Sequence, residues 1–190
     1  MLPNFGIRVE NIVASANLQV DVPLEKIVSK LEGMEYEPEQ FPGLVYRLTS
    51  PKAAALIFGS GKIVCTGARS LEDVHEVFKK VVKIVEKADV KVPKGYKVQV
   101  ENIVASAKLD SRLNLDTIAF NLENSEYEPE QFPGLVYRMT DPKVAFLLFG
   151  SGKIVCTGAR SVKDVGIAVE KVSRKLKSIG AVVKEKGPAG

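Results

Sequence analysis

The chain has 190 residues, of which 45% are hydrophobic, enough to bury a core in one large domain or two small ones. Its 27 Lys and Arg against 23 Asp and Glu give a net charge of +4, too mild by itself to indicate a nucleic-acid partner. No run of about 18 apolar residues occurs, and the N-terminal residues lack a signal peptide's apolar stretch. We therefore expect a cytoplasmic protein with no membrane partner.

The chain is an internal duplication. Residues 7–88 align with residues 98–179 without a gap, at a shift of 91 positions, and about 48 of the 82 pairs are identical. Units of this length are too long for the repeats of a solenoid. The pattern predicts two similar halves, residues 1–94 and 95–190, of one symmetric molecule.

The sequence pattern predicts about five strands and two helices in each half. Residues 7–18 alternate and are rich in β-branched side chains, which indicates a strand. Leu24, Ile27 and Leu31 recur at helical spacing and predict a short helix. Residues 35–41 form a projecting loop, because Pro38 and the Pro and Gly that follow it interrupt regular structure. Further strands are predicted at 44–49, 53–58 and 62–68.

The turns and helix starts also carry signals. Gly59-Ser60-Gly61 predicts a tight hairpin turn, since glycine accepts a positive φ. Ser70 and Asp73 resemble a capping box that opens a long second helix, and Ser161 and Asp164 repeat it. The predicted buried positions of the long helices are Leu71, Val74, Phe78, Val81 and Val85, and Val162, Val165, Val169, Val172 and Leu176. In the second short helix they are Leu115, Ile118, Ala119 and Leu122.

One face of the predicted sheet has no cover. Two helices protect a single face of an antiparallel sheet, yet these strands are apolar on both faces. A wide uncovered apolar face marks a binding surface. Its centre carries small apolar side chains (Val13, Val45, Val64 and Ala68) with the polar Asn11 and Thr66, and its edges carry Arg47, Lys62, Phe41 and Phe58. An apolar centre with basic edges suits the minor groove of a nucleic acid, where sugars lie centrally and phosphates form the rim.

Other classes of function fit these residues less well. Gly59-Ser60-Gly61-Lys62 is not a phosphate-binding loop, because Ile63 stands where the Walker pattern requires Ser or Thr and a strand continues. No cluster of His, Cys and carboxylates predicts a catalytic or metal site. Cys65 and Cys156 occupy equivalent positions and are interpreted as buried thiols. A protein-interaction module that grips a peptide on the bare sheet stays open as the rival.

Three motifs, each present twice, carry a family resemblance. They are Asn-Ile-Val at 11–13 and 102–104, Phe-Pro-Gly-Leu at 41–44 and 132–135, and Ser-Gly-Lys-x-Val-x-Thr-Gly-Ala at 60–68 and 151–159. Over nearly its whole length the chain resembles the TATA-box-binding protein family in its short archaeal form. The resemblance implies an α+β fold, a pseudo-symmetric saddle with a ten-stranded curved antiparallel sheet and four helices on its convex face.

The resemblance also implies a function. Members of this family are general transcription initiation factors, not enzymes, and need no cofactor or metal. They bind and bend A·T-rich TATA-box promoter DNA through the minor groove and nucleate preinitiation complexes with transcription factor B and, indirectly, RNA polymerase. The location implied is the cytoplasm, at the nucleoid, in an archaeon, or the nucleus in a eukaryote.

Site residues follow from the same resemblance. The pairs that wedge into the DNA are Phe41 with Phe58 and Phe132 with Phe149. The central hydrogen-bonding residues are Asn11, Thr66, Asn102 and Thr157. The apolar floor is Val13, Val64, Val104 and Val155, and Leu56 and Leu147 are further DNA contacts. The phosphate contacts are Arg47, Lys62, Arg69, Arg138, Lys153 and Arg160. The contacts for transcription factor B are Glu128, Glu130 and Gln131.

Overall fold

A computed structural model describes residues 5–183. The first four and last seven residues, which include most of the N-terminal segment considered above, lie outside this range. Its contacts divide the chain into two compact units, one of Glu10–Asn102 and one that joins the chain up to Val9 to the chain from Ile103. No helix within 5–183 is long and apolar enough to cross a membrane.

The helices and strands of the first repeat follow the predicted order. The bounds of its four long strands agree with the prediction within one residue. The elements are β1 (Arg8–Asn17), α1 (Leu24–Lys30), β2 (Met34–Glu35), β3 (Leu44–Thr49), β4 (Lys52–Ile57), β5 (Lys62–Ala68) and α2 (Leu71–Lys87). The strands lie in the order β2-β3-β4-β5-β1. Each pairs with its neighbour in antiparallel fashion.

The second repeat has the same order of elements and one small addition. They are β6 (Gln99–Lys108), β7 (Arg112–Leu113), α3 (Leu115–Asn121), β8 (Ser125–Glu126), β9 (Leu135–Thr140), β10 (Lys143–Leu148), β11 (Lys153–Ala159), α4 (Val162–Ser178) and β12 (Val182–Val183). Its main strands lie in the order β6-β11-β10-β9-β8, and β7 pairs with β12 in a separate small sheet. The predicted α+β class, with ten antiparallel strands besides that small sheet and four helices, is confirmed.

In each repeat, the main strands have one buried face. Along β4, Ala53, Ala55 and Ile57 are buried while the residues between them are half-exposed, and β5 and β10 alternate in the same way. Helix α2 packs against β4 and β5, and α4 packs against β11. The period of two in the strands therefore separates a helix-covered face from an uncovered one.

Local signals for the turns and caps are confirmed. The Ser70 side chain accepts a hydrogen bond from the backbone N–H of Asp73, and Ser161 does the same for Asp164. Gly61 lies at φ +94°, and an added Cβ there would be 2.4 Å from the carbonyl oxygen of Val20. Only glycine fits this turn, because both the backbone angle and the space exclude a side chain.

Three positions that were predicted to be buried are exposed. Leu71 and Val162 are about half exposed, because each is the first residue of its helix, ahead of the first position that reaches the sheet. Ala119 is exposed, since the seven-residue helix α3 turns only Leu115 and Ile118 inward.

Ala68 was assigned to the uncovered face and is buried instead. The pairing of β1 with β5 shifts register between Ile12 and Ala14, opposite the stretch from Cys65 to Ala68. An extra residue in one strand of a pair reverses the side-chain alternation beyond it. Gly67 consequently takes the exposed position, and Ala68 turns into the core.

The two thiols make stability depend on pH at the alkaline end. Cys65 and Cys156 are free and buried, and burial raises the pKa of each from 9.0 to about 11. Below pH 9 the thiols are neutral in both the folded and the unfolded protein, so their full contribution to the free energy of unfolding is present. Between pH 9 and 11 an unfolded thiol ionises while a folded one does not, so unfolding becomes easier by at most about 1.4 kcal/mol per pH unit and thiol.

We therefore expect the free energy of unfolding to fall more steeply over pH 9–11 in the parent than in the variant Cys65→Ala/Cys156→Ala. Denaturant titrations at fixed pH values measure this slope. The alanine variant loses stability at every pH through the small cavities it creates. Equal slopes in the two proteins would contradict the prediction.

Candidate nucleic-acid interface

The uncovered face of each sheet forms aligned rows of side chains. In the first repeat, Val45, Leu56, Val64 and Ser15 are successive cross-strand partners on β3, β4, β5 and β1. All four are half-exposed, and all of their chain neighbours except Tyr46 are buried. We call this surface the open face. It presents a continuous apolar strip that no described residue covers.

The second repeat builds the same open face independently. Val136, Leu147, Val155 and Ser106 are cross-strand partners on β9, β10, β11 and β6. A second row joins Arg138, Ala145, Thr157 and Val104. The rows combine an apolar strip with a polar residue near the middle and a cation toward the outer strands. This is the arrangement that the sequence predicted.

Asn11 is held in a defined orientation on the first open face. Its Oδ1 accepts a hydrogen bond of 2.6 Å from the backbone N–H of Gly67. Its Nδ2 lies 3.5 Å from the hydroxyl oxygen of Thr66. The amide oxygen is therefore taken by the backbone and one amide N–H is directed at the Thr66 hydroxyl, which leaves the second N–H of this open-face residue as a donor. A donor there matches the acceptor groups of adenine and thymine in the minor groove.

Two pairs of phenylalanines stand at the ends of β4 and β10. The rings of Phe41 and Phe58 meet edge to face, with centroids 5.8 Å apart and planes at 69°. Those of Phe132 and Phe149 repeat this at 5.9 Å and 71°. Phe41 is 39% exposed and Phe132 is 42% exposed, values unusual for rings whose function is only to fill a core.

Cations surround the open faces. The six predicted phosphate contacts, Arg47, Lys62, Arg69, Arg138, Lys153 and Arg160, are all exposed. In the first repeat, Arg47, Thr66 and Arg69 line one depression of about 660 Å³. Thus two predicted phosphate contacts and a predicted base contact border the same hollow.

No predicted DNA-contact residue within the described range is buried. The apolar floor residues and the central Asn and Thr are half-exposed, as binding requires. Glu128, Glu130 and Gln131 are exposed as well. They belong to a turn closed by hydrogen bonds from the backbone N–H groups of Gln131 and Phe132 to the carbonyl oxygen of Glu128.

Sequence reasoning left some open-face residues out of the site. Ala54 lies between Arg47 and Thr66 in the cross-strand register, and Ala145 repeats it. Their strand parity already placed them on this face, but alanine carries no chemical signal of its own. The structure places both in the strip, where they are half-exposed.

No group of three or more His, Cys, Asp and Glu within 5–183 could hold a metal ion. The site is a shaped surface that presents apolar contacts, fixed donors and peripheral positive charge.

Comparisons with known proteins agree with this geometry. The sequence model of the family described as "Transcription factor TFIID (or TATA-binding protein, TBP)" matches residues 6–88 and again residues 97–179. The TATA-box-binding protein of Methanothermobacter thermautotrophicus is 53% identical over 181 residues, which cover 95% of this chain and 100% of that protein. That of Picrophilus torridus is 54% identical and covers 93% of this chain and 97% of its own length.

The fold is also that of a solved relative. The structure of Methanococcus jannaschii TBP superposes with a TM-score of 0.85 at 48% identity, covering 90% of this chain and 98% of that one. The family model spans most of both repeats. The chain therefore belongs to the TATA-binding protein family of transcription factors.

Proposed function

We propose that this protein is a general transcription initiation factor that binds and bends A·T-rich TATA-box promoter DNA through the minor groove. Residues 1–94 and 95–190 act in this proposal as two similar halves of one DNA-binding molecule. The relatives named as TATA-box-binding proteins support the choice of ligand. The site of action is where promoter DNA lies, in the cytoplasm at the nucleoid in an archaeal cell.

The observation that carries the proposal is the open face with a phenylalanine pair at its end, present in both repeats. Minor-groove proteins insert apolar side chains between base steps and so kink the duplex. Each pair here offers one partly exposed ring supported by a second. The apolar strip of Val64 and Leu56 can then lie against the sugars of the widened groove.

The composition of the floor also favours A·T pairs. Guanine adds an amino donor to the minor groove, whereas A·T and T·A pairs present only acceptors. Val64 and Val155 offer no acceptor to that amino group, and the amide oxygen of Asn11 already accepts a hydrogen bond from the backbone N–H of Gly67. A G·C pair that lies against these valines consequently leaves an amino group unpaired.

The test is a bending assay on matched duplexes. Fluorescence energy transfer between dyes at the two ends of a duplex reports the bend as protein is added at fixed salt. We expect a large bend on an A·T-rich duplex and affinity lower by about 1–3 kcal/mol for each central G·C pair. A protein-interaction module would bind neither duplex. Equal affinity for A·T-rich and G·C-rich duplexes would refute the groove assignment.

We further propose that the loop with Glu128, Glu130 and Gln131 binds transcription factor B, and that RNA polymerase is recruited through this factor. The loop is exposed and its carboxylates form no ion pair that the structure shows. Acidic side chains on a projecting turn suit a basic partner surface.

The duplicated loop provides a matched control for this partner. Glu128→Arg/Glu130→Arg should abolish the ternary complex with transcription factor B on promoter DNA, because reversed charge turns attraction into repulsion. Binding of the DNA alone should change little. Glu37→Arg/Glu39→Arg makes the same substitutions in the identical loop of the first repeat, and we expect it to retain the factor. A gel-shift titration with and without the factor measures both, and equal losses in the two variants would contradict the assignment.

A further inference from the structure

Both phenylalanine pairs converge on a glycine. Gly43 lies two residues after Phe41, directly before β3, and is buried. A Cβ added there would lie 2.8 Å from Cε1 of Phe41 and 3.0 Å from Cε1 of Phe58. Real Cβ atoms almost never come that close to another heavy atom, so at least one ring would have to move.

The second repeat shows the same contact. A Cβ on Gly134 would lie 2.7 Å from Cε1 of Phe132 and 3.0 Å from Cε1 of Phe149. The two repeats differ at many positions, yet each places a Cα without a side chain against the edge of both rings. The arrangement is therefore built twice in one chain.

Backbone conformation does not account for these glycines. Neither Gly43 nor Gly134 is among the residues with positive φ. An alanine could adopt the same backbone without strain. What the two positions require is the absence of a methyl group, and the three atoms nearest to the missing Cβ all belong to the rings of the pair.

We propose that Gly43 and Gly134 are positioning residues for the DNA wedges. By leaving room for both rings, each glycine holds its pair in the edge-to-face geometry and so sets the angle at which the exposed ring meets a base step. This inference rests on the proposed function, since it assigns a role within the same DNA-binding surface. The rings, not the fold, respond to a methyl group here, because the exposed ring can swing into solvent.

The test compares two single-methyl changes beside the same ring. Gly43→Ala adds a Cβ against the pair, whereas Gly59→Ala adds one immediately after Phe58, where the nearest atom is the carbonyl oxygen of Val22 at an ordinary 3.7 Å. Gly134→Ala and Gly150→Ala form the equivalent comparison in the second repeat, with the nearest atom to the control Cβ at 3.8 Å.

We expect Gly43→Ala and Gly134→Ala to keep the melting temperature of their controls but to bend an A·T-rich duplex less. Their affinity should fall about tenfold, which is 1.4 kcal/mol. The dependence of affinity on salt should not change, because no cation moves. In the DNA-free protein, nuclear Overhauser contacts between the Phe41 and Phe58 rings should weaken in Gly43→Ala and persist in Gly59→Ala.

A double-mutant cycle keeps the proposal falsifiable if the methyl group also lowers stability. Once Phe41 is alanine, the Gly43→Ala step should cost much less bending and affinity than it does in the parent, since the closest clash has gone. Additive effects would overturn the inference, as would parent-like bending by Gly43→Ala. If the parent itself fails to bend the duplex, the proposed function fails, which is a separate and distinguishable result.

Discussion

Replacing Phe149 by alanine will remove much of the DNA bend and weaken binding about 10- to 100-fold. Burying a phenylalanine side chain is worth about 1.5–3 kcal/mol, and each 1.4 kcal/mol is a factor of ten in affinity. The ring is partly buried in the free protein, supports the more exposed Phe132, and gains further cover when the pair meets a base step. The bending assay and a binding titration on one A·T-rich duplex measure both effects.

The fold should tolerate this change. A fully buried Phe→Ala substitution costs about 3–5 kcal/mol of stability, and the cost at a half-exposed ring should be clearly smaller. Phe120→Ala is the matched control, because Phe120 is 90% exposed on α3, a helix that contributes no residue to the open face. It should bind and bend DNA as the parent does. A Phe149→Ala protein that loses several kcal/mol of stability while bending DNA normally would show that the ring is part of the core.

Strand periodicity explains why so much of the open face could be predicted from sequence. Side chains alternate strictly along a strand, so two helices covering one face leave a known set of residues on the other. Val13, Val64 and Leu56 are half-exposed as this argument requires. The duplication strengthened each prediction, since one reading had to fit two copies.

The errors arise where alternation breaks or an element is short. Ala68 follows a register shift that no sequence pattern announced, and the shift turned its side chain to the opposite face. Leu71 and Val162 fit the helical period but lie at helix starts, where the sheet is out of reach. Helical periodicity predicts which side of a helix faces the sheet. It does not predict at which residue along the helix contact with the sheet begins.

The role of Gly43 could not be predicted from sequence for a different reason. In the sequence it follows proline, and a Pro-Gly pair reads as a turn signal. Only the three-dimensional structure shows that its backbone is ordinary and that the space of its missing Cβ is used by the rings of Phe41 and Phe58, the second of which is brought close by the pairing of β3 with β4. Steric roles of this kind depend on tertiary packing, which a local pattern does not contain.

Binding to DNA will depend steeply on salt. If the six exposed cations each neutralise one phosphate, log affinity should fall with log salt at a slope of about −5, since each contact contributes about −0.9. Raising the salt from 50 to 200 mM should then weaken binding about 10³-fold. Titrations of one A·T-rich duplex at four salt concentrations give the slope. A peptide-binding sheet, the rival interpretation, has no comparable counterion release.

Two double substitutions of lysines show which cations cause the dependence of affinity on salt. Lys62→Gln/Lys153→Gln removes one cation at the equivalent point of each open face and should make the slope shallower by about 2. Lys79→Gln/Lys83→Gln removes the same charge from exposed positions on α2, the helix that covers the other face, and should leave the slope unchanged. If both pairs lower the slope equally, net charge alone governs binding. The open faces would then not be where the phosphates lie.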